Sequence, residues 1–381
     1  MLEVAVIGCG MTPFGEHYGK SLRNLVEDAY LSTIRSVDKG IDPKDIQAVW
    51  YGTLASSWAS FPIPDFVGLS QLPVSRLENA CATGSDAFRN ACFSVMAGIY
   101  DVVLVIGAEK MNDEPCSSLW NYQAMENWNI GRSMPGVFAL RATRHMHEFG
   151  TKREQLAMVS VKNHHNGALN PRAHFRFETT VEKALKSRMI AYPLGLLDCC
   201  PMTDGAAAAI ICRADIAKKY TDASVQVVGL GLATDTSYGT MTDEQLVGFP
   251  TTTKAAKEAF QMAKLEPKDV DVVELHDCFT ITELVSYEDL GFCTKGEGGK
   301  FVEEGRASLG GETPVNPSGG LLAKGHPTGA TGVAQIVEVF EQVRGQSGKR
   351  QVADAEIGLT HNLGVAPEGS VGLVTILRRG T

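Results

Sequence analysis

An internal repeat is the feature that most limits what this chain can fold into. "EVAVIGCG" at 3–10 returns as "SVQVVGLG" at 224–231, and "GIDPKDIQAVWYG" at 40–52 returns as "KLEPKDVDVVELHD" at 264–277. Further on, "VSRLENACATGSDAFRNACFSVMAG" at 74–98 answers to "VNPSGGLLAKGHPTGATGVAQIVEVF" at 315–340, and "YDVVLVIGAEK" at 100–110 to "DAEIGLTHNLG" at 354–364. Each half reads strand, helix, strand, helix, strand. Strands joined by helical crossovers predict a mostly parallel sheet with helices on its faces. Two such halves packed on shared helices predict an α/β fold of five layers, αβαβα. The length agrees, because 381 residues exceed the roughly 250 to 300 that one core serves.

Residues 111–200 interrupt the first half with a Met-, Trp- and Asn-rich stretch and the amphipathic "REQLAMVSVKNHHNGAL". They read as an inserted loop domain. The expected division is 1–110 plus 201–222 for the first half, 111–200 for the insertion and 223–381 for the second half. In such sheets the reactive site lies beyond the carboxyl ends of strands, where helices begin. The repeat places Cys81 and His326 at matching helix starts, and His276 with Cys278 at the end of another strand.

Composition removes several classes of function. A formal charge of −9 without a Lys/Arg cluster does not suit nucleic acid. No apolar run approaches the ~20 residues that cross a bilayer, and the N-terminus lacks a signal-peptide pattern. Nine cysteines, including the adjacent Cys199 and Cys200, fit a reducing cytoplasm better than a disulfide framework. "GCGMTPFG" has Pro13 at the third glycine position of a dinucleotide motif, and "KGEGGKF" lacks the spacing of a phosphate loop. His145, His147, His164, His165 and His174 come without any metal-ligating spacing, so no metal is expected and they read as solvated loop residues.

The remaining candidates are reactive side chains with two readings each. Cys81, at a helix N-terminus, suits a thiolate nucleophile or a buried structural cysteine. His326, followed by a proline fit for the first helical position, suits a general base or a capping histidine. His276 and Cys278 in "ELHDCF" suit an oxygen-binding imidazole and a proton-transferring thiol, or a polar strand end. Asp277 between them suits the N-cap of the helix that follows. Gly364, with its backbone N–H and that of Cys81, suits an oxyanion hole or a plain turn.

Together "NACATGS", "ELHDCF", "NPSGG", "KGHPTGATG", "CCPMTDGAAAAI" and "HNLG" resemble the thiolase superfamily, over essentially the whole chain and in order. The likeness is greatest to the sterol-carrier-protein type with its HDCF motif and to archaeal and bacterial relatives. The resemblance implies the five-layered thiolase fold, a homodimer or dimer of dimers, acyl-CoA and CoA as substrates, and no permanently bound cofactor. It implies Cys81 as the acylated nucleophile, His326 as its base, Cys278 as the second acid/base, and His276 where other thiolases use an asparagine. Oxygen-binding sites would come from Cys81 and Gly364, and from His276 and His326. Asn362 stands where many thiolases carry their second cysteine. One departure is Val365-Ala366-Pro367-Glu368, where the type continues with small residues.

Substrate identity rests on less. Trp58, Phe61, Trp120 and Trp128 fall in or near the loops expected over the acyl pocket, which suits a bulky or aromatic acyl group such as that of benzoylsuccinyl-CoA, or loop packing. Acetoacetyl-CoA thiolysis is the alternative, and a non-catalytic acyl-CoA-binding subunit or a ketosynthase are others. The stretch "EDLGFCTKGEGGKFVEEG" resembles relatives that work with a small zinc-ribbon/OB-fold protein, which implies such a partner.

Overall fold

The computed structural model describes residues 2–54, 56, 60, 62–113, 133–236, 241–366 and 369–380. The first half runs β1 (Val4–Met11), α1 (Leu22–Arg35), β2 (Val49–Gly52), α2 (Ile63–Phe66), β3 (Val74–Leu77), α3 (Thr83–Met96) and β4 (Val102–Lys110). After it come α4 (Met134–Phe149), α5 (Arg153–Leu169), α6 (Val181–Lys186) and the hairpin β5 (Met189–Ala191) and β6 (Leu194–Gly195); β7 (Asp204–Arg213) then returns to the sheet. The second half runs β8 (Val225–Thr236), α7 (Asp243–Val247), α8 (Pro250–Ala263), β9 (Val272–Glu274), α9 (Thr280–Asp289), α10 (Gly298–Glu303), α11 (Gly320–Ala323), α12 (Thr328–Val343), β10 (Ile357–Ala366) and β11 (Gly369–Arg379).

The strands form one mixed sheet in the order β3-β2-β4-β7-β1-β8-β11-β10-β9. Its two parts repeat as the sequence does. β1, β2, β4 and β7 correspond to β8, β9, β10 and β11, and the place of β3 is taken by Val315, bridged in parallel to Val273. The parts join edge to edge where β1 pairs with β8 over Val4–Val6.

The expectation of a mostly parallel sheet is corrected. β2 is parallel to β4 and to β3, and β9 to β10, as helical crossovers require. The strand that closes each half arrives without such a crossover. β11 pairs with β10 as far as Ala366 and Gly369, and β7 re-enters after the insertion, and each lies antiparallel to both its neighbours.

Layering follows from which face each strand buries. Ala5, Ile7, Leu104, Ile106 and Ile210 pack with Leu25, Val26 and Ala29 of α1. The opposite face, with Val6, Val103, Val105 and Ala209, packs on Phe88 and Ala91 of α3 and Val333 and Val337 of α12. Beyond those central helices lies the second part of the sheet, whose far face, with Leu359 and Val374, packs with Ala255 and Ala259 of α8. The alternation of α1, sheet, α3 with α12, sheet and α8 is the five-layered arrangement.

Between the two central helices the separation is set by glycine. A Cβ on Gly84 of α3 would stand 2.7 Å from the carbonyl oxygen of Gly329 on α12, and one on Gly332 would stand 2.3 Å from the backbone N of Ser85. Backbone meets backbone at the starts of the two helices. Gly84→Ala is therefore expected to lower the unfolding free energy by about 1 to 3 kcal/mol, the usual cost of forcing an extra carbon into a filled contact. Urea unfolding of the variant checks this, and an unchanged midpoint would show that the helices can part freely.

Candidate active site

Cys81 lies on the connection from β3 to α3, one residue before the helix cap Ala82. A tight turn carries it there: Ala82 N donates to Asn79 O, Thr83 N donates to Ala80 O, and Asn79 N donates to Thr83 Oγ1. Ala80 accordingly takes a left-handed conformation, with φ 49°, that residues with a Cβ adopt at a cost. Gly364 of β10 closes the turn from the other side, where a Cβ would stand 2.8 Å from Asn79 O. Cys81 is half-buried, and desolvation, then the carboxylates of Glu109 and Glu78, push its thiol up to about 12, which runs against the thiolate expected at the helix N-terminus.

The three other candidates sit on two segments bound into one block. Val273 and Val315 bridge in parallel; Leu275 N donates to Asn316 Oδ1 at 2.9 Å, and Asn316 N to Val273 O at 2.8 Å. Glu274 accepts from Ser318 N, Ser318 Oγ and Lys324 Nζ. Asp277 does not cap the helix that follows it, contrary to expectation. α9 starts at Phe279 without a side-chain cap, while Asp277 accepts from Leu321 N at 2.6 Å, Leu322 N at 3.2 Å and Asn163 Nδ2 at 2.7 Å. It thus ties the His276–Cys278 turn to α11, just ahead of His326. Burial and neighbouring Glu283 push the Asp277 carboxyl up to about 8.

One thiol and two imidazoles meet here. Cys81 Sγ and one nitrogen each of His276 and His326 lie within 4.8 Å of one another, and the two rings meet edge to face with centroids 5.1 Å apart. A soft metal ion could be held by the same three atoms, in competition with any substrate of the thiol. His326 Nδ1 is 2.7 Å from Thr331 Oγ1, whose own hydrogen goes to Pro327 O at 2.9 Å. Thr331 therefore accepts, the ring hydrogen sits on Nδ1, and Nε2 is left as a lone pair without a partner among the described residues. Burial, and then Lys324, lower His326 to about 3, so it is neutral at ordinary pH. His276 is held well below its usual range by burial, His326 and His361.

Cys278 is buried, with Sγ 3.6 Å from Thr282 Oγ1, and burial followed by the proximity of Cys81 raises its thiol well above the usual range. Cys200, whose N donates to Cys278 O at 3.0 Å, adds another raised thiol beside it. Asn362 is buried, and its Nδ2 stands 3.3 Å from His276 Nδ1. The sequence places Asn362 only where many thiolases carry their second cysteine; its contact with His276 exists only in the fold.

Trp58, Phe61, Trp120 and Trp128 lie outside the described residues, as do Pro367 and Glu368. A cavity of about 450 Å³ lined by Phe249, Thr253, Phe260, Asp289 and Lys295 contains none of the catalytic candidates. The reading of solvated loop histidines is corrected: His147 and His165 are exposed but lie on α4 and α5, His174 is half-buried, and two others are buried. His145 is buried against Thr151 and against Glu288 of the second half, and His164 is buried against Phe175 and Phe177 of the insertion itself. α5 is buried around much of its circumference and is not a surface helix with one apolar face.

Residues 4–215 match the family model described as the thiolase N-terminal domain, and residues 232–379 the one described as thiolase C-terminal domain-like. An acetyl-CoA acetyltransferase of Methanothermobacter thermautotrophicus is 46% identical over 374 residues, covering 96% of this chain and 97% of that protein. Human sterol carrier protein 2 is 34% identical over 400 residues, 99% of this chain and 72% of that protein. Among solved structures, one described as the Ltp2-ChsH2(DUF35) aldolase superposes with a TM-score of 0.86 at 27% identity, covering 99% of this chain and 98% of that one. The chain belongs to the thiolase family and is an acyltransferase of that class. Among the described residues no helix is long and apolar enough to cross a membrane.

The buried neutral imidazoles link stability to pH. In the unfolded chain a histidine takes up its proton near pH 6.5, whereas His326 and His361 do so only at about 3 in the folded protein, with His276 also well lowered. Their contribution is fully present above the unfolded value and is lost as pH falls towards the folded one. The thermal midpoint is expected to drop between pH 7.5 and 5, and His361→Gln to make that drop shallower. Parallel pH profiles for the two proteins would count against this assignment.

Proposed function

We propose that the protein catalyses CoA-dependent thiolytic cleavage of a 3-oxoacyl-CoA, and the reverse Claisen condensation, through an acyl-Cys81 intermediate. The observation that carries the proposal is the convergence of Cys81 Sγ with the bare Nε2 of His326 and with His276. Both Cys81 and His326 rest neutral, so the thiol proton passes to His326 Nε2 as the sulfur attacks the 3-keto carbon. The bond between carbons 2 and 3 breaks, its electron pair enters the thioester enolate, and Cys278, kept protonated by burial, delivers its proton to carbon 2. Free CoA then attacks acyl-Cys81. Its thiol proton restores Cys278, His326 returns its proton to the departing Cys81 sulfur, and no proton is left over.

Oxygen charge is met twice in this scheme. His276 donates to the enolate oxygen, and the backbone N–H groups of Cys81 and Gly364 receive the tetrahedral oxyanion of the acyl-cysteine, a donor of this kind being worth roughly 2.7 to 4 kcal/mol. Acetoacetyl-CoA is the proposed substrate, supported by the acetyl-CoA acetyltransferase relative that covers nearly the whole chain. A bulky or aromatic acyl group rests only on residues outside the described ones and remains the competing outcome of a substrate panel. A small zinc-ribbon/OB-fold partner and a homodimer or dimer of dimers are part of the proposal; the two components in the name of the Ltp2-ChsH2(DUF35) structure support the former.

Mass spectrometry after incubation with acetoacetyl-CoA and bulkier 3-oxoacyl-CoAs is expected to find an acyl group on Cys81 that free CoA removes. No adduct from any of them would sink the proposal. Cys278→Ala is expected to keep acylation from a simple acyl-CoA while cleavage falls by about 10²- to 10⁴-fold, the usual worth of a positioned acid. Undiminished cleavage would remove Cys278 from its role.

A further inference from the structure

A chain of hydrogen bonds with a fixed direction ends on His276. It begins at the backbone carbonyl of His361, which can only accept, so the group 3.0 Å away must be the Nε2 amide of Gln335 and not its oxygen. Gln335 Oε1 is then the acceptor for Asn362 Nδ2 at 3.1 Å. The same Nδ2 faces His276 Nδ1 at 3.3 Å, which must therefore be the unprotonated nitrogen. Turning the Asn362 amide over would set two oxygens against each other at the Gln335 contact. All of these residues are buried.

We propose, resting on the function above, that Gln335 and Asn362 are positioning residues that lock His276 in the Nε2–H tautomer, so that the ring offers the substrate oxygen a hydrogen and not a lone pair. The neighbouring ring has the opposite tautomer through Thr331. Two imidazoles 5.1 Å apart are thereby held in different states, His326 as acceptor of a proton and His276 as donor of a hydrogen bond. Neutral His276 needs such a device. Its two tautomers are close in energy in water, and the wrong one would aim a lone pair at the developing enolate.

Asn362→Asp replaces the donor by an acceptor and draws the hydrogen to Nδ1. Cleavage of the 3-oxoacyl-CoA is expected to fall by about 10²- to 10³-fold in kcat, as for loss of one oxyanion donor, with KM little changed. Exchange of labelled CoA into a simple acyl-CoA, which uses Cys81, His326 and Cys278 but forms no enolate, is expected to persist. Gln335→Met frees the Asn362 amide and is expected to lower the same step, and Gln335→Glu, whose protonated carboxyl reproduces both contacts, to recover most of that loss. The tautomer itself is read without substrate, by imidazole ¹⁵N shifts in protein labelled at histidine and assigned by difference with His276→Gln.

A wild-type Nδ1–H signal for His276, equal losses in cleavage and exchange, or full cleavage in Asn362→Asp would each overturn the proposal. If Asn362→Asp fails to fold, Gln335→Met and Gln335→Glu decide by the same measures. A wild-type protein that shows Nε2–H but acylates with no substrate refutes the proposed reaction and leaves the relay standing.

Discussion

The contact between the starts of α3 and α12 is the constraint from which the site follows. Gly84, Gly329 and Gly332 let two helix backbones meet where side chains would hold them apart. Because Cys81 lies just before α3 and His326 just before α12, this contact brings a thiol and an imidazole from residues far apart in the chain into one cluster. The repeat makes the arrangement natural, since equivalent helices of two similar halves bury equivalent faces against each other. Packing energy, which the protein needs in any case, is thus also what positions the nucleophile and its base.

Electrostatically the site is quiet at rest. Burial raises both thiols and lowers both imidazoles, so Cys81, Cys278, His276 and His326 are all uncharged at rest. Charge arises only as the reaction proceeds, and the hydrogen-bond directions decide where it is received. Formal charge is kept one layer away, in Glu274 with Lys324 and in Glu283 with Lys162, where it braces the loops. Asp277 joins this bracing through Asn163, which donates to both Asp277 and Glu283. Helix α5, between β4 and β7 in sequence, thereby supports the catalytic turns of the second half.

Much of this was legible in the chain, for reasons particular residues make plain. Apolar runs such as "DVVLVIG" and "GAAAAIIC" fit buried strands by their length and flanks, and the repeat said how many times the unit occurs. Cys81, His276, Cys278 and His326 each had a structural reading as well, and stood out because the repeat puts them at matching helix starts and strand ends and because their motifs resemble those of thiolases. Asp277 was misjudged because local spacing offers the nearest helix as its partner, whereas the tertiary fold presents the N–H groups of Leu321 and Leu322. The local polarity around His145 and His164 does not report their burial, which comes from Glu288 of the second half for one and from Phe175 and Phe177 of the insertion for the other.

By itself, then, the sequence determined the two similar halves, the alternation of strands and helices, and the residue types available for acyl transfer. These are properties of spacing and side-chain chemistry, carried along the chain. Only the tertiary structure decided the antiparallel closing strands, the helix that Asp277 holds, and the opposite tautomers of His276 and His326. Those depend on which donor meets which acceptor across long loops, and a hydrogen bond's direction exists only once both partners are in place.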